Sequence, residues 1–341
     1  MTTKTVTSPK KKPSSVRHTR AMQRDRSKRP TVAPSAPQVE ARLAELIQPA
    51  TFAQVASFQQ MGLRQRILTL PVMMAFVLSL IWRHLGSVAE ATRVLRHEGF
   101  LWVEPTQVSS QALTERLGSL PASLFEQTLH DVLPQMQQRW QSRRRPLSPA
   151  VAHAQQHFTE VLALDGSTLD ALLHKVGLLK GREKRALGGR MAGLLNLATR
   201  LPRQIWYEQD SQAHDQRFWD RVIARLEPGV LLIFDLGFLN YPHYDDLTTK
   251  KLSFITRAAE NMAFKVERVQ QATGELHDLL VWVGSGETSR CEHLLRLVEV
   301  KHGSKWYRYL TNVLDPAVLP AAYVMALYWQ RWRIEDACAI V

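Results

Sequence analysis

The segment 230–240, VLLIFDLGFLN, is an almost unbroken apolar run that contains a single carboxylate, Asp235. A run of this length and content is typical of a β-strand that is buried on both faces at the centre of a sheet. An aspartate in such a place loses its hydration, and a paired charge or a bound metal ion offsets that cost. The run therefore predicts a central strand that ends at a functional carboxylate.

A second acid, Asp165, ends the apolar segment FTEVLALD, for which we predict another strand, and GST at 166–168 predicts a tight exit from it. In an α/β sheet the strand ends are where sites assemble, and two carboxylates on adjacent strands can share a hard cation. Either aspartate alone could instead cap a turn. Asp245 and Asp246, which follow the central strand, are candidates for supporting groups.

The residues around these acids alternate between strand and helix patterns, which indicates an α/β domain. Strands are predicted at 191–202, 203–209 and 251–258, an amphipathic helix at 214–226, β-rich structure at 264–318, and one helix over 320–341. On that last helix Tyr328, Arg331 and Glu335 are spaced i, i+3 and i+7, which places them on one face. An ion pair between Arg331 and Glu335 on the surface is the alternative.

Three blocks, DGSTL at 165–169, IFDLGF at 233–238 and YWQRWRIE at 328–335, carry a family resemblance. They resemble the signature blocks of the IS-four-type bacterial insertion-sequence transposases, whose last block reads Y-x2-R-x3-E-x6-K. The resemblance covers about 150–341. It implies an RNase H-like catalytic core at 149–341 that is interrupted by a β-rich insertion, here 264–318.

The resemblance also implies an activity and its residues. Asp165, Asp235 and Glu335 would be the catalytic carboxylates that bind two Mg²⁺ ions, for which Mn²⁺ can substitute. Tyr328 and Arg331 would hold phosphates of the transposon end. The implied reaction is metal-dependent cleavage and transfer of DNA strands in cut-and-paste transposition. Its partners would be double-stranded DNA, as terminal inverted repeats and target, and a second copy in a synaptic homodimer.

Trp306 lies in the β-rich stretch between Lys305 and Tyr307. By the same resemblance it is a DNA-binding candidate, because an aromatic ring there could stack on an unpaired base. Burial in the core is the expectation from the usual environment of tryptophan.

The N-terminal part is basic and then helical. Residues 1–40 form a predicted disordered tail rich in Lys and Arg, and 41–148 a predicted all-α DNA-binding domain. Within it, Ser87 and Ser109 are candidate helix N-caps and Gly99 a candidate stop, so the pair could be a helix-turn-helix reader. The net charge of +13 favours a polyanionic partner, nucleic acid before an anionic membrane surface.

Several function classes are disfavoured. The apolar run Ile67–Trp82 contains Pro71 and is shorter than the ~20 residues that a bilayer requires, so a buried helix and no membrane partner are expected. A Walker loop is absent, which disfavours ATP hydrolysis. Cys291 and Cys338 form no CxxC pair, which fits a reducing cytoplasm; we expect a bacterial, nucleoid-associated location.

The family pattern places a lysine seven residues after Glu335, one position beyond Val341. We therefore expect a product truncated inside the catalytic helix. Two hypotheses stay open: an active transposase, or a catalytically inactive remnant that only binds DNA. A general RNase H-like nuclease is disfavoured, because it does not require Tyr328 and Arg331.

Overall fold

The structure is a computed structural model. It describes residues 36–63, 66–83, 85–141, 146–168, 189–208, 210, 214–238, 240–285 and 290–334. Glu335, Cys338 and residues 1–35 of the predicted tail lie outside the described residues. The chain has a mixed α/β architecture, in which helices make up the N-terminal part and a large mixed sheet follows.

Seven helices precede the sheet within the described ranges. The first six are α1 (Ala36–Ala53), α2 (Val55–Gln60), α3 (Leu70–Trp82), α4 (Val88–His97), α5 (Ser110–Ser119) and α6 (Ala122–Gln141). The apolar helix α3 is largely buried, as predicted, and its Met73 and Phe76 share a core cluster with Leu95 of α4 and Leu113 of α5. No helix in the part of the chain that is described has the length and apolar content needed to cross a membrane.

The predicted helix signals around α4 and α5 are confirmed. The Ser87 and Ser109 side chains accept hydrogen bonds from the N–H groups of Glu90 and Ala112, and Gly99 beyond α4 has a φ of +76°. The connection at 98–109 is nevertheless longer than the 3–4-residue turn of a helix-turn-helix. It contains the bridge between Phe100 and Val103. That this pair of helices reads DNA stays a prediction.

Helix α7 (Pro149–His157) leads into a nine-stranded sheet. Its strands are β1 (Val161–Thr168), β2 (Arg190–Asn196), β3 (Pro202–Glu208), β4 (Leu231–Phe234), β5 (Ser253–Arg257), β6 (Phe264–Ala272), β7 (Leu276–Val283), β8 (Leu295–His302) and β9 (Lys305–Thr311). The spatial order is β3-β2-β1-β4-β5-β9-β8-β7-β6. Strands β1, β4 and β5 are mutually parallel, whereas β2, β3 and β6–β9 pair antiparallel with their neighbours.

Every residue of β4 is buried, and successive side chains enter different cores, as the period of a strand requires. Leu232 and Phe234 pack in one cluster, where α8 (Trp219–Ile223) and α9 (Tyr241–Thr249) cover the sheet. Leu231 and Ile233 pack in the other, under α7 and α10 (Ala321–Gln330). Thus α10, the helix before Glu335, lies across the face opposite α8 and α9.

Three sequence predictions need correction. Strand β1 does not exit after Asp165, because β2 returns beside it and pairs as far as Thr168 with Arg190. The helix predicted at 214–226 is a 3₁₀ turn at 215–218 followed by the short α8. The predicted single helix from 320 is interrupted after Gln330: the N–H of Arg331 bonds three residues back, to the Tyr328 carbonyl, 331–332 form a turn, and 333–334 are helical again.

The β-rich stretch predicted after 264 is present as β6–β9. These strands form a meander of consecutive antiparallel pairs. The meander extends the central sheet, because β9 pairs directly with β5. The two sets of strands therefore share one hydrogen-bonded sheet.

Candidate active site

Asp165 and Asp235 emerge from neighbouring parallel strands at the same level of the sheet. The residues before them, Leu164 and Phe234, are direct partners in the β1–β4 ladder. Each carboxylate turns back onto the following backbone: Oδ1 of Asp165 accepts from the Gly166 N–H at 3.0 Å, and Oδ1 of Asp235 accepts from the Leu236 N–H at 2.7 Å. The two acids are thus held in matching conformations on adjacent strands.

One guanidinium bridges the two carboxylates. Nη1 of Arg331 lies 2.6 Å from Oδ2 of Asp165, and Nη2 lies 3.4 Å from Oδ2 of Asp235. Arg331 is 4% exposed, and its Nε has no hydrogen-bond partner among the described residues. Burial acts to lower the pKa of Arg331, but the nearby Asp165, Tyr328 and Asp235 outweigh it, so the pKa is raised. The guanidinium is therefore a fixed positive charge between the acids.

Tyr328 also reaches this site from α10. Its buried hydroxyl donates to Oδ1 of Asp235 at 2.9 Å. Burial, followed by the charge of Asp235, raises the pKa of Tyr328 above its ordinary value, so the phenol stays a neutral donor. Its ring packs 5.1 Å from the ring of Tyr309 on β9. The i, i+3 spacing of Tyr328 and Arg331 does bring both side chains to one place, as predicted.

A third acid, Asp215, lies against the same two turns. Its Oδ1 is 2.6 Å from Nη2 of Arg190, the first residue of β2. A methyl group built on Gly166 would lie 2.5 Å from Oδ1 of Asp215, and one built on Gly237 would lie 2.7 Å from Oδ2. Sequence reasoning missed Asp215, because 214–226 shows only a helix pattern. The glycines after Asp165 and Asp235 were the available signal.

The comparisons with known proteins address the same part of the chain. The family model described as the transposase DDE domain matches residues 156–340. The chain belongs to this family. The match includes Asp165, Asp235 and Arg331. The chain is also 31% identical over 133 residues to a Sinorhizobium fredii protein described as "Putative transposase y4zB". That alignment covers 37% of this chain and 36% of the relative, so the match spans about a third of the relative's length.

Other predicted residues of this DDE domain lie elsewhere. Trp306 is 39% exposed and stacks on His277, with ring centroids 4.5 Å apart, so the expectation of core burial is wrong. Alternation along β9 places it on the sheet face opposite Tyr307 and Tyr309, which pack with α10. The structure therefore does not bring Trp306 to Asp165 and Asp235. Glu335 lies outside the described residues.

The two acids suggested as supporting groups in the DDE domain are engaged elsewhere. Asp245 accepts hydrogen bonds from the backbone N–H groups of Glu292 and His293. Asp246 of α9 pairs with Lys250, which follows the helix directly. In the contacts that are described, both acids therefore stabilise local structure rather than Asp235.

The donor set suits a hard divalent cation. Asp165 and Asp235 offer carboxylate oxygens, which Mg²⁺ prefers, and they lie close enough to share one positively charged group. The side chain of Asp235 is 40% exposed, which leaves a path from solvent. Among the described residues no group of three or more His, Cys, Asp or Glu side chains could hold a metal ion. Glu335 is not among these residues.

Proposed function

We propose that this chain is a DNA transposase that cleaves and joins DNA strands at the ends of an insertion sequence by cut-and-paste transposition. The observation that carries the proposal is the convergence of Asp165 and Asp235, from adjacent parallel strands, on the single guanidinium of Arg331. Two neighbouring carboxylates supply the oxygen ligands that a hard divalent cation prefers, and such like charges are stable together only beside a positive charge. Membership of the transposase DDE domain family supports the same conclusion.

Asp165, Asp235 and Glu335 would hold two Mg²⁺ ions, which supply charge neutralisation for an in-line displacement at phosphorus. The backbone N–H groups of Gly166 and Leu236 fix one oxygen of each aspartate, so that the other oxygen points toward Arg331. An arrangement fixed before the substrate arrives loses little entropy when the substrate binds.

Arg331 and Tyr328 have a second proposed task. With cations held by the two aspartates, the Arg331 guanidinium would be available to bind a DNA phosphate through its planar fork. The neutral hydroxyl of Tyr328 would donate a hydrogen bond to the same phosphate backbone of the DNA. This exchange would couple metal binding to DNA binding at one place.

The core is proposed to be RNase H-like. The order β3-β2-β1-β4-β5, with β2 antiparallel and β1, β4 and β5 parallel, supports this proposal. We propose that three further parts of the chain contact terminal inverted repeats and target DNA. They are the helical part at 41–148, the basic tail at 1–40 and Trp306. The net charge of +13 supports a polyanionic partner. A synaptic homodimer and a location at the nucleoid in the cytoplasm complete the proposal.

The test is a nicking assay on DNA that carries the flanking terminal repeats, with Mg²⁺, with Mn²⁺ and with EDTA. The full chain and a version extended past Val341 are compared. We expect metal-dependent nicking that Asp165→Ala, Asp235→Ala and Glu335→Ala each abolish. Asp246→Ala is the matched control, because that acid pairs with Lys250 away from the site. Nicking that survives in Asp165→Ala and Asp235→Ala contradicts the proposed site.

The remnant hypothesis predicts a different result in the same assay. A chain that only binds DNA would bind the terminal repeats with a steep salt dependence and would nick under no metal condition. If the extended version nicks and the chain does not, residues beyond Val341 are required for activity. The assay therefore separates the two candidates.

A further inference from the structure

The backbone segments that carry Asp165 and Asp235 are contacted from two sides. On the α10 side, Arg331 bridges the carboxylates themselves. On the other side, the segment 215–223 packs on the sheet through Phe218 and Trp219. Asp215 begins that segment and points at the turns that follow the two acids.

Asp215 can pack against the two turns only because each has a glycine, which carries no side chain, at the point of contact. A methyl group at Gly166 would meet Oδ1 of Asp215 at 2.5 Å, and one at Gly237 would meet Oδ2 at 2.7 Å. One carboxylate thus fills the space beside both glycines, with one oxygen toward each. Gly166 directly follows Asp165, and Gly237 is two residues after Asp235.

The Asp215 carboxylate is also restrained from behind. Its Oδ1 pairs with Nη2 of Arg190 at 2.6 Å, and both side chains are about four-fifths buried. Retreat from an added methyl group would pull the carboxylate off this arginine. A short side chain that is held at its tip can move aside only by losing that contact. The two turns therefore pack against a fixed group.

We propose that Asp215 is a positioning residue for the DDE site. With Arg190 as its anchor, it sets the spacing of the turns after Asp165 and Asp235, and with it the separation of the two carboxylates. This inference rests on the proposed function of Asp165 and Asp235, and it adds a residue pair that acts through backbone rather than on the metal or the DNA.

The test measures Mn²⁺ binding to the full chain by calorimetry, the Mg²⁺ concentration for half-maximal nicking, and the thermal midpoint in EDTA. Outer groups that orient metal ligands cost about 10–100-fold in metal affinity when removed. We expect Asp215→Asn and Arg190→Gln to weaken Mn²⁺ binding by about that factor, with Asp215→Asn midpoints within about 4 °C of wild type. Asp210→Asn is the control, since Asp210 pairs with Arg217 nearby but exposed. Unchanged Mn²⁺ binding in Asp215→Asn overturns the proposal.

A double-mutant cycle tests the contact itself. Gly166→Ala should weaken Mn²⁺ binding strongly in the wild-type background and much less in Asp215→Ala, where the space is free. Equal penalties in both backgrounds overturn the proposal. If the wild type neither binds Mn²⁺ nor nicks, the proposed function fails separately. The thermal midpoints of the same four variants then decide. Non-additive shifts for Gly166→Ala and Asp215→Ala support a direct contact between Asp215 and the Gly166 turn, and additive shifts overturn it.

Discussion

The hydroxyl of Tyr328 donates a hydrogen bond to Oδ1 of Asp235 at 2.9 Å, across 93 positions of sequence. This contact joins helix α10 to the end of the central strand β4. Because Arg331, one turn later, contacts Asp235 and Asp165 as well, the end of α10 is docked on the two carboxylates by polar groups. The placement of α10 and the charge state of the site are therefore linked.

Tyr328→Phe should lower the free energy of unfolding by about 1 kcal/mol at pH 8, the usual net value of one hydrogen bond. Burial raises the pKa of Tyr328, so the folded chain keeps its proton above pH 10, where the unfolded chain loses it. That contribution to stability is present below the ordinary pKa and is lost as the pH rises. Urea unfolding should thus show the wild type losing its advantage over Tyr328→Phe above about pH 10.

Tyr323→Phe, on the same helix, is the control for the pH series. The difference between wild type and Tyr328→Phe is the relevant quantity, because it cancels the other titrating groups. A difference that stays constant from pH 8 upward would show that Tyr328 ionises equally in the folded and unfolded chains.

Arg331→Ala should separate metal binding from activity. Removal of this guanidinium leaves Asp165 and Asp235 without their shared positive charge, so we expect Mn²⁺ to bind about tenfold more tightly. Nicking should fall by about a hundredfold or more, since a charged contact to the phosphate is lost. Calorimetry and the nicking assay, with Arg333→Ala as control, measure the two effects. Weaker Mn²⁺ binding would mean that Arg331 organises the aspartates rather than competes with the cation.

Among the described ion pairs of the meander β6–β9, the buried pair of Arg296 and Asp278 should be the most sensitive to substitution. Both side chains are at most 2% exposed and make two contacts of 2.7 Å. Arg296→Met alone leaves the buried Asp278 carboxylate without its partner. It should lower the free energy of unfolding, measured in urea, by about 3–5 kcal/mol. The double variant Arg296→Met with Asp278→Leu should recover much of that loss.

The exposed pair of Arg217 and Asp210 supplies the comparison, and its loss should cost under about 1 kcal/mol. Arg296 also donates to the carbonyl of Leu319, just before α10. If the double variant is as unstable as Arg296→Met, this contact to the loop before α10 is the larger part of the effect.

Trp306→Ala should weaken binding of DNA with unpaired ends by about 1–3 kcal/mol if its ring stacks on a base. Fully paired DNA should bind as before. Trp282→Ala is a close match, because Trp282 is 40% exposed and also lies in the outer strands. Fluorescence titrations with the two DNA forms measure the difference. Equal losses in both variants would point to a general effect of the outer sheet.

The apolar run around Asp235 predicted the central strand correctly, because burial on both faces leaves a strong local pattern. The spacing of Tyr328 and Arg331 predicted that they share a face, since helical geometry determines which residues do, but the family resemblance identified them as site residues. The end of β1 was misjudged: its extension past Asp165 depends on pairing with β2, which is a contact between distant segments. The sequence around Asp165 therefore does not predict this pairing.

Asp215 and Trp306 show the same limit at single residues. The surroundings of Asp215 come from Gly166, Gly237 and Arg190, none of which is adjacent to it in sequence. Trp306 resembles a core residue by type, yet it is 39% exposed, whereas Leu310, on the same side of β9, is fully buried. Composition and periodicity cannot report which parts of a sheet are covered.

The pairing of β5 with β9 has a consequence for the order of synthesis. Ile255 pairs with Thr311, so the ribosome must release the whole meander before the sheet can become continuous. The hairpins β6–β7, β7–β8 and β8–β9 close short loops and can form first, whereas the join closes a long loop and is intrinsically slow. We expect a nascent chain that stops before β9 to expose β5 as an open edge. That interval is when the chain is most prone to aggregate or to need a chaperone.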